Sequence, residues 1–174
     1  MNRAVAFAPL ALLALVILVS AALLLRPGAH QTITSGDIGR PSPQYALARL
    51  GGGEALNSSD DAGKPHLINV FASWCAPCLA ENAQLMALQE SGVDIVGIAY
   101  KDAPGDTQSF LDAHGDPYRA VGIDRDGQFG LQLGIAGVPE TFVVSPAGDI
   151  VAIHRGPLTP EDVARDIVPA LRRR

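Results

Sequence analysis

The chain has 174 residues, 48% hydrophobic and 18% charged, which fits one compact domain with an additional segment rather than two full domains. A formal net charge of −5 gives no basic footprint for nucleic acid, and Arg172 to Arg174 read as a solvated helix end favoured by the macrodipole. Nucleic-acid binding is therefore set aside.

The first element is the run "AVAFAPLALLALVILVSAALLL", Ala4 to Leu25, without a charged residue. At about 1.5 Å per helical residue it can cross a hydrocarbon core of roughly 30 Å, so residues 1–25 read as an N-terminal transmembrane anchor whose span is residues 4–25. The rival is a cleaved signal peptide, for which Val19, Ser20 and Ala21 supply small residues, but the run exceeds the roughly 7 to 15 apolar residues of such a segment. Arg3 and Arg26 flank opposite sides and leave the orientation open; an N-in anchor places residues 26–174 outside the cytoplasm. Residues 26–43, rich in Pro, Gly, Ser and Thr, read as a linker, and residues 44–174 as the folded domain.

Within that domain "YALARL" alternates like a strand, "GGGEALNSSDDAGKP" is turn-rich, and "HLINVFAS" is a short buried-strand run. Leu79, Ala83, Met86 and Leu88 then recur at near-helical spacing up to Gly92, and "VDIVGIAY" is a second buried strand. Strand, helix and strand of this length make a βαβ unit with a parallel pair. "PGDTQSFLDAHG" predicts a second helix, and "TFVVSPAGDIVAIHRG" two strands joined by a turn at "PAGD". "TPEDVARDIVPALRRR" predicts a closing helix with Thr159 as cap and Pro160 at its first position. An α/β fold follows, with a mixed sheet and helices on both faces.

Cys75 and Cys78, in "FASWCAPCLAEN", are the only cysteines. A zinc site needs about four ligands, yet there is no second cysteine pair, and His30, His66, His114 and His154 are scattered. A structural disulfide here would close only a tiny loop. The redox reading has a positional basis: the pair follows a strand and opens a helix, where free N–H groups and the macrodipole favour a thiolate. Cys75, expected to be the more exposed, is then the attacking nucleophile and Cys78 the resolving thiol. Pro77 removes an N–H that has no partner in the first turn.

"WCAPC" after a buried strand, followed downstream by "GVPETF", resembles a thioredoxin-fold oxidoreductase. "LINVFASWCAPCLAEN", "VGIAYKD" and "GDPYRAVGIDRDGQFGLQLGIAGVPETFVVSPAGDI", together with the amino-terminal run, resemble the membrane-anchored DsbE/CcmG family of cytochrome c maturation over nearly the whole chain. The resemblance implies a thioredoxin-like fold and a periplasmic thiol:disulfide oxidoreductase with no cofactor and no metal. It would take electrons from a DsbD-type or CcdA-type membrane protein and reduce apocytochrome c or a CcmH-type partner. A general periplasmic reductase of the TlpA/ResA type, or a non-redox apocytochrome-binding module, are the alternatives.

The resemblance also implies a cis Val138–Pro139 bond beside the cysteines, with Trp74, Val138 and Pro139 meeting substrate. Asn69 stands where thioredoxin has a buried aspartate, and an amide cannot take up a proton. Glu81, three residues after Cys78 and so on the same helical side, and Glu140, expected to face the cysteine loop, are the candidate proton carriers. The matches at Tyr100 to Asp102 and Asp116 to Tyr118 carry no independent chemistry.

Overall fold

The computed structural model describes residues 12–13, 15–20 and 38–172. The chain divides into two units, Met1–Thr32 and Ile33–Arg174. In the first, residues 12–13 and 15–20 are helical. Most of the expected anchor over residues 4–25, and the linker up to residue 37, lie outside the described residues, among which no helix is long and apolar enough to cross a membrane.

The second unit is built on β1 (Ala46–Arg49), β2 (Leu56–Asn57), β3 (His66–Phe71), α1 (Ala76–Glu90), β4 (Ile95–Tyr100), α2 (Pro104–His114), β5 (Ala120–Asp124), α3 (Gln128–Leu133), β6 (Glu140–Val144) and β7 (Ile150–Arg155). The closing segment is α4 (Pro160–Asp162), a π-helical turn (Val163–Ile167) and α5 (Val168–Leu171). The π turn precedes Pro169, whose missing N–H cannot serve the carbonyl one turn back. Strand order is β2-β1-β5-β4-β3-β6-β7. The central β5, β4 and β3 run parallel, and β6, β7 and β1 add antiparallel flanks.

Alternation along the strands divides the interior. Ile68, Val70, Val96, Ile98, Phe142 and Val144 join Phe129 and Leu133 of α3 on one face of the sheet. On the other face Leu67, Ile95 and Val143 meet Leu85 and Leu88 of α1 and Ile167 and Ala170 near the C-terminus, while Phe71, Ala99, Val121 and Ile123 meet Leu111 of α2 and both cysteines. Helices therefore cover both faces, as the sequence pattern predicts.

Three features differ from the sequence expectation. The segment "AVGID" forms a central parallel strand, so a second βαβ unit (β4, α2, β5) extends the sheet. Its Gly122 hides the strand pattern, and the reason is packing: a Cβ there would lie 2.9 Å from Leu47 Cδ1. The inner face of α1 is Cys78, Glu81, Asn82, Leu85 and Leu88, whereas Leu79 and Ala83 are exposed. The ordered domain also reaches back before residue 44: Gly39 N donates to Ile150 O at 2.7 Å, Ile150 N to Arg40 O at 2.9 Å, and Ser42 N to Gly148 O at 2.8 Å.

Candidate active site

The first turn of α1 starts where β3 ends, at the carboxyl edge of the parallel strands. Cys75 is the helix N-cap with extended backbone, and Cys78 lies in the first turn. The two form a disulfide, with S–S 2.05 Å and Cα atoms 5.3 Å apart. Cys78 N donates to Cys75 Sγ at 3.2 Å, so the N-terminal amide that would stabilise a Cys75 thiolate is already aimed at that sulfur. Exposure does not separate the pair, at 4% for Cys75 and 3% for Cys78 in the bridged state. The asymmetry is positional, one sulfur capping the helix and the other inside it.

Around the disulfide the surface is apolar. Trp74 is 58% exposed and Leu79 44%. Val138 packs against the cluster that holds both cysteines, and its bond to the buried Pro139 is cis. Trp74, Val138 and the cysteine pair are thus brought to one rim.

Beneath the rim lies a buried polar network. Glu81 has no solvent exposure; its Oε1 accepts from Asn69 Nδ2 at 2.9 Å and its Oε2 from Leu158 N at 2.9 Å. Asn69 Nδ2 also donates to Thr141 Oγ1 at 3.0 Å, and Tyr118 OH donates to Asn69 Oδ1 at 2.7 Å. The Tyr118 hydroxyl therefore occupies the amide oxygen of Asn69 and leaves its NH₂ for Glu81. Burial pushes the Glu81 carboxyl up to about 7, partly opposed by the Leu158 and Asn69 donors. Burial, and then the charge of Glu81, hold the Tyr118 phenol well above its ordinary value, so this hydroxyl stays a donor. Gly97 makes the arrangement possible: it pairs with Asn69 across β3 and β4, and a Cβ there would sit 2.8 Å from the Tyr118 ring. That ring stacks on Phe71 at 4.7 Å between centroids.

Glu140 is placed differently. It pairs in register with Val70 while Thr141 pairs with Asn69, so alternation along β6 puts Glu140 on the sheet face opposite the Glu81 network. Its Oε1 accepts from Ala136 N at 2.7 Å and Gly137 N at 3.1 Å, and Arg155 Nε lies 3.4 Å from Oε2. Burial raises its pKa, opposed by the Ala136 amide, Arg155 and the Gly137 amide. Its contacts fasten the loop before Pro139; they do not join it to the sulfurs.

Of the buried carboxylates outside the sequence candidates, Asp102 and Asp124 lie at or just past the ends of the parallel strands β4 and β5. Asp102, after β4, accepts from the main chain and hydroxyl of Ser73. Asp124, ending β5, accepts from Phe129 N at 3.1 Å and Gly130 N at 2.8 Å and so caps α3. The only signal for Asp102 and Tyr118 was their place in motifs shared with the family.

A redox disulfide capping a helix after a central parallel strand, packed against a cis-proline loop that leads into an antiparallel strand, defines a thioredoxin-like thiol:disulfide oxidoreductase. Residues 38–168 match the redoxin family. The thiol:disulfide interchange protein HelX of Rhodobacter capsulatus is 42% identical over 134 residues, 76% of each chain. DsbE of Tatumella citrea is 37% identical over 97% of this chain and 94% of its own. A solved DsbE-type structure from Chlorobium tepidum superposes with a TM-score of 0.64 at 27% identity, covering 78% of this chain and 98% of that one. The chain belongs to the redoxin family and, within it, to the thiol:disulfide interchange proteins of the DsbE and HelX type.

Proposed function

We propose that this protein is a reductant of cytochrome c maturation: a periplasmic domain, tethered to the inner membrane by residues 4–25, that reduces apocytochrome c or a CcmH-type partner with electrons from a DsbD-type or CcdA-type membrane protein. The observation that carries the chemistry is the Cys75–Cys78 bridge on the first turn of α1, with fully buried Glu81 on the inner face of the same helix. Similarity to relatives named DsbE and HelX supports the pathway, and the uncharged run from Ala4 to Leu25 supports the tether.

The reduced pair acts in two displacements. The Cys75 thiolate, stabilised by the Cys78 amide, attacks one sulfur of the substrate disulfide, forming a mixed disulfide and releasing the other sulfur as a thiolate that takes a proton from solvent. Cys78 then gives its proton to Glu81, and its thiolate attacks Cys75 Sγ. The Cys75–Cys78 bond forms, the mixed disulfide breaks, and the second substrate thiolate leaves and is protonated. Two electrons pass from the dithiol to the substrate. A carboxyl with a pKa of about 7 is matched to this proton transfer near neutrality. Exposed Trp74 and the Val138–Pro139 loop flank the bridge as the surfaces an extended substrate chain meets, while Glu140 holds that loop from the opposite face of the sheet.

A Cys78→Ser variant of the full chain cannot resolve the mixed disulfide and captures the partner covalently. Mass spectrometry of the adduct from growing cells is expected to find apocytochrome c or a CcmH-type protein. Adducts confined to unrelated periplasmic disulfide proteins would overturn the pathway and favour the TlpA/ResA-type reading.

A further inference from the structure

Trp74 is exposed, so packing alone does not fix its ring. Two polar ties reach it from the turn after β4. Trp74 Nε1 donates to Lys101 O at 3.4 Å, and the preceding residue, Ser73, donates to Asp102 from both its main chain (2.7 Å) and its hydroxyl (2.8 Å). Asp102 is 5% exposed and accepts two further bonds, from Ala103 N at 3.0 Å and Thr107 Oγ1 at 3.0 Å. One carboxylate thereby joins the loop carrying Trp74 and Cys75 to the first turn of α2.

The turn that presents Asp102 is itself unusual. Lys101, with φ 48°, is the only non-glycine residue with positive φ among the described residues. Its N–H donates to Asp124 O at 2.8 Å, and its ammonium lies 5.1 Å from the centre of the Tyr100 ring. The left-handed residue aims its carbonyl at the indole and leaves the next side chain under Ser73. Backbone strain of this kind persists where surrounding contacts over-determine it, and here they do.

We infer that Asp102 is a positioning residue for the exchange reaction: it fixes the Ser73–Trp74 segment so that the indole stands as a set platform beside Cys75 for an incoming polypeptide disulfide. It touches neither sulfur and acts through Ser73. This inference rests on the reading of Trp74 as a substrate contact, and the test separates the two.

Asp102→Asn keeps the shape but replaces one acceptor oxygen by NH₂. Ser73 N and Thr107 Oγ1 share Oδ2, and Ser73 Oγ and Ala103 N share Oδ1, so either choice leaves a main-chain N–H facing a donor. Trp74 is the only tryptophan in the chain, so the fluorescence anisotropy decay of the reduced full chain reports its pose directly. The variant is expected to show added fast indole motion and a roughly tenfold slower reduction of a disulfide-bonded Cys-x-x-Cys peptide, while oxidation by the small linear bis(2-hydroxyethyl) disulfide changes less than about twofold, the loss being one of charge-assisted orientation. Unchanged indole motion in a folded variant would overturn the inference. Added motion with unchanged peptide rate would keep the clamp but overturn the assignment of Trp74 as a substrate contact. Should Asp102→Asn not fold, Ser73→Ala, which removes one donor and keeps the carboxylate, is read by the same three measurements.

Discussion

Glu81 and Glu140 are both buried carboxylates close to the active-site rim, with pKa values raised first of all by burial. Their partners differ. Glu140 faces a guanidinium and two loop amides, so its charge is compensated and its work is to hold main chain. Glu81 accepts from two neutral donors and, among the described residues, has no ion pair, which leaves its ionisation balanced near neutrality. The proposed division of labour follows from this: a buried acid suits proton transfer when its surroundings barely compensate its charge, and suits holding main chain when they compensate it well.

The strongest way to break this contrast is Glu140→Ala. Removing one partner of a largely buried ion pair strips Arg155 of that carboxylate and leaves two amides without their acceptor; urea unfolding should show a loss of about 3 kcal/mol. The titration of Cys75, followed by alkylation rate in the variant that still folds, should superimpose on the wild type. A clear shift would place Glu140 in the thiol chemistry.

The second effect is on stability against pH. The folded-state pKa of Glu81 is raised from 4.5 to about 7, so in this window the folded chain holds a proton that the unfolded chain has released. Stability from this group is therefore full below pH 4.5, falls by roughly 3 kcal/mol as pH rises to about 7, and is flat above. Glu81→Gln should remove that fall, although it starts lower, because Asn69 Nδ2 and Leu158 N are both donors and one must then face the new NH₂. Parallel stability curves for variant and wild type from pH 4.5 to 7 would refute the assignment.

The same variant should slow resolution. With the proton acceptor gone, decay of a preformed mixed disulfide at pH 7 is expected to fall about a hundredfold, with Cys75 alkylation little changed. Equal decay rates would hand the proton to water. Tyr118→Phe is the mildest change: it strips one hydrogen bond from Asn69 Oδ1, costs about 1 kcal/mol, and frees the amide to turn its oxygen toward Glu81. The carboxyl midpoint should then move further up, read as a shifted pH dependence of resolution.

The βαβ unit around the cysteines was legible because its signals are local: a short, mostly apolar strand run, Pro77 in the first turn, and a glycine after the helix. β5 was not, since Gly122 answers to Leu47 across the sheet. Glu81 could be named from its spacing to Cys78, but its burial could not: a charged residue in a helix ordinarily reads as a solvated position, and its partners Asn69 and Leu158 lie in other elements. Glu140 was named for its place after Pro139, but its pairing with Val70, on the face away from Asn69, follows from the alternation of β6 and could not be read from the sequence. Asp102 and Tyr118 bind groups far away along the chain, Ser73 and Asn69, and no local pattern announces such pairs.

The hydrogen bond from Leu158 N to Glu81 gives the buried carboxylate an external indicator. Leu158 belongs to the connection between β7 and α4, outside the cysteine loop, yet its amide proton points at the titrating oxygen. As Glu81 ionises, that bond becomes charge-assisted and its proton resonance moves downfield. One cross-peak in a nitrogen–proton spectrum thus follows the protonation of a group with no solvent contact. Recorded for the dithiol and the disulfide in turn, it measures how far the two oxidation states differ in their hold on that proton.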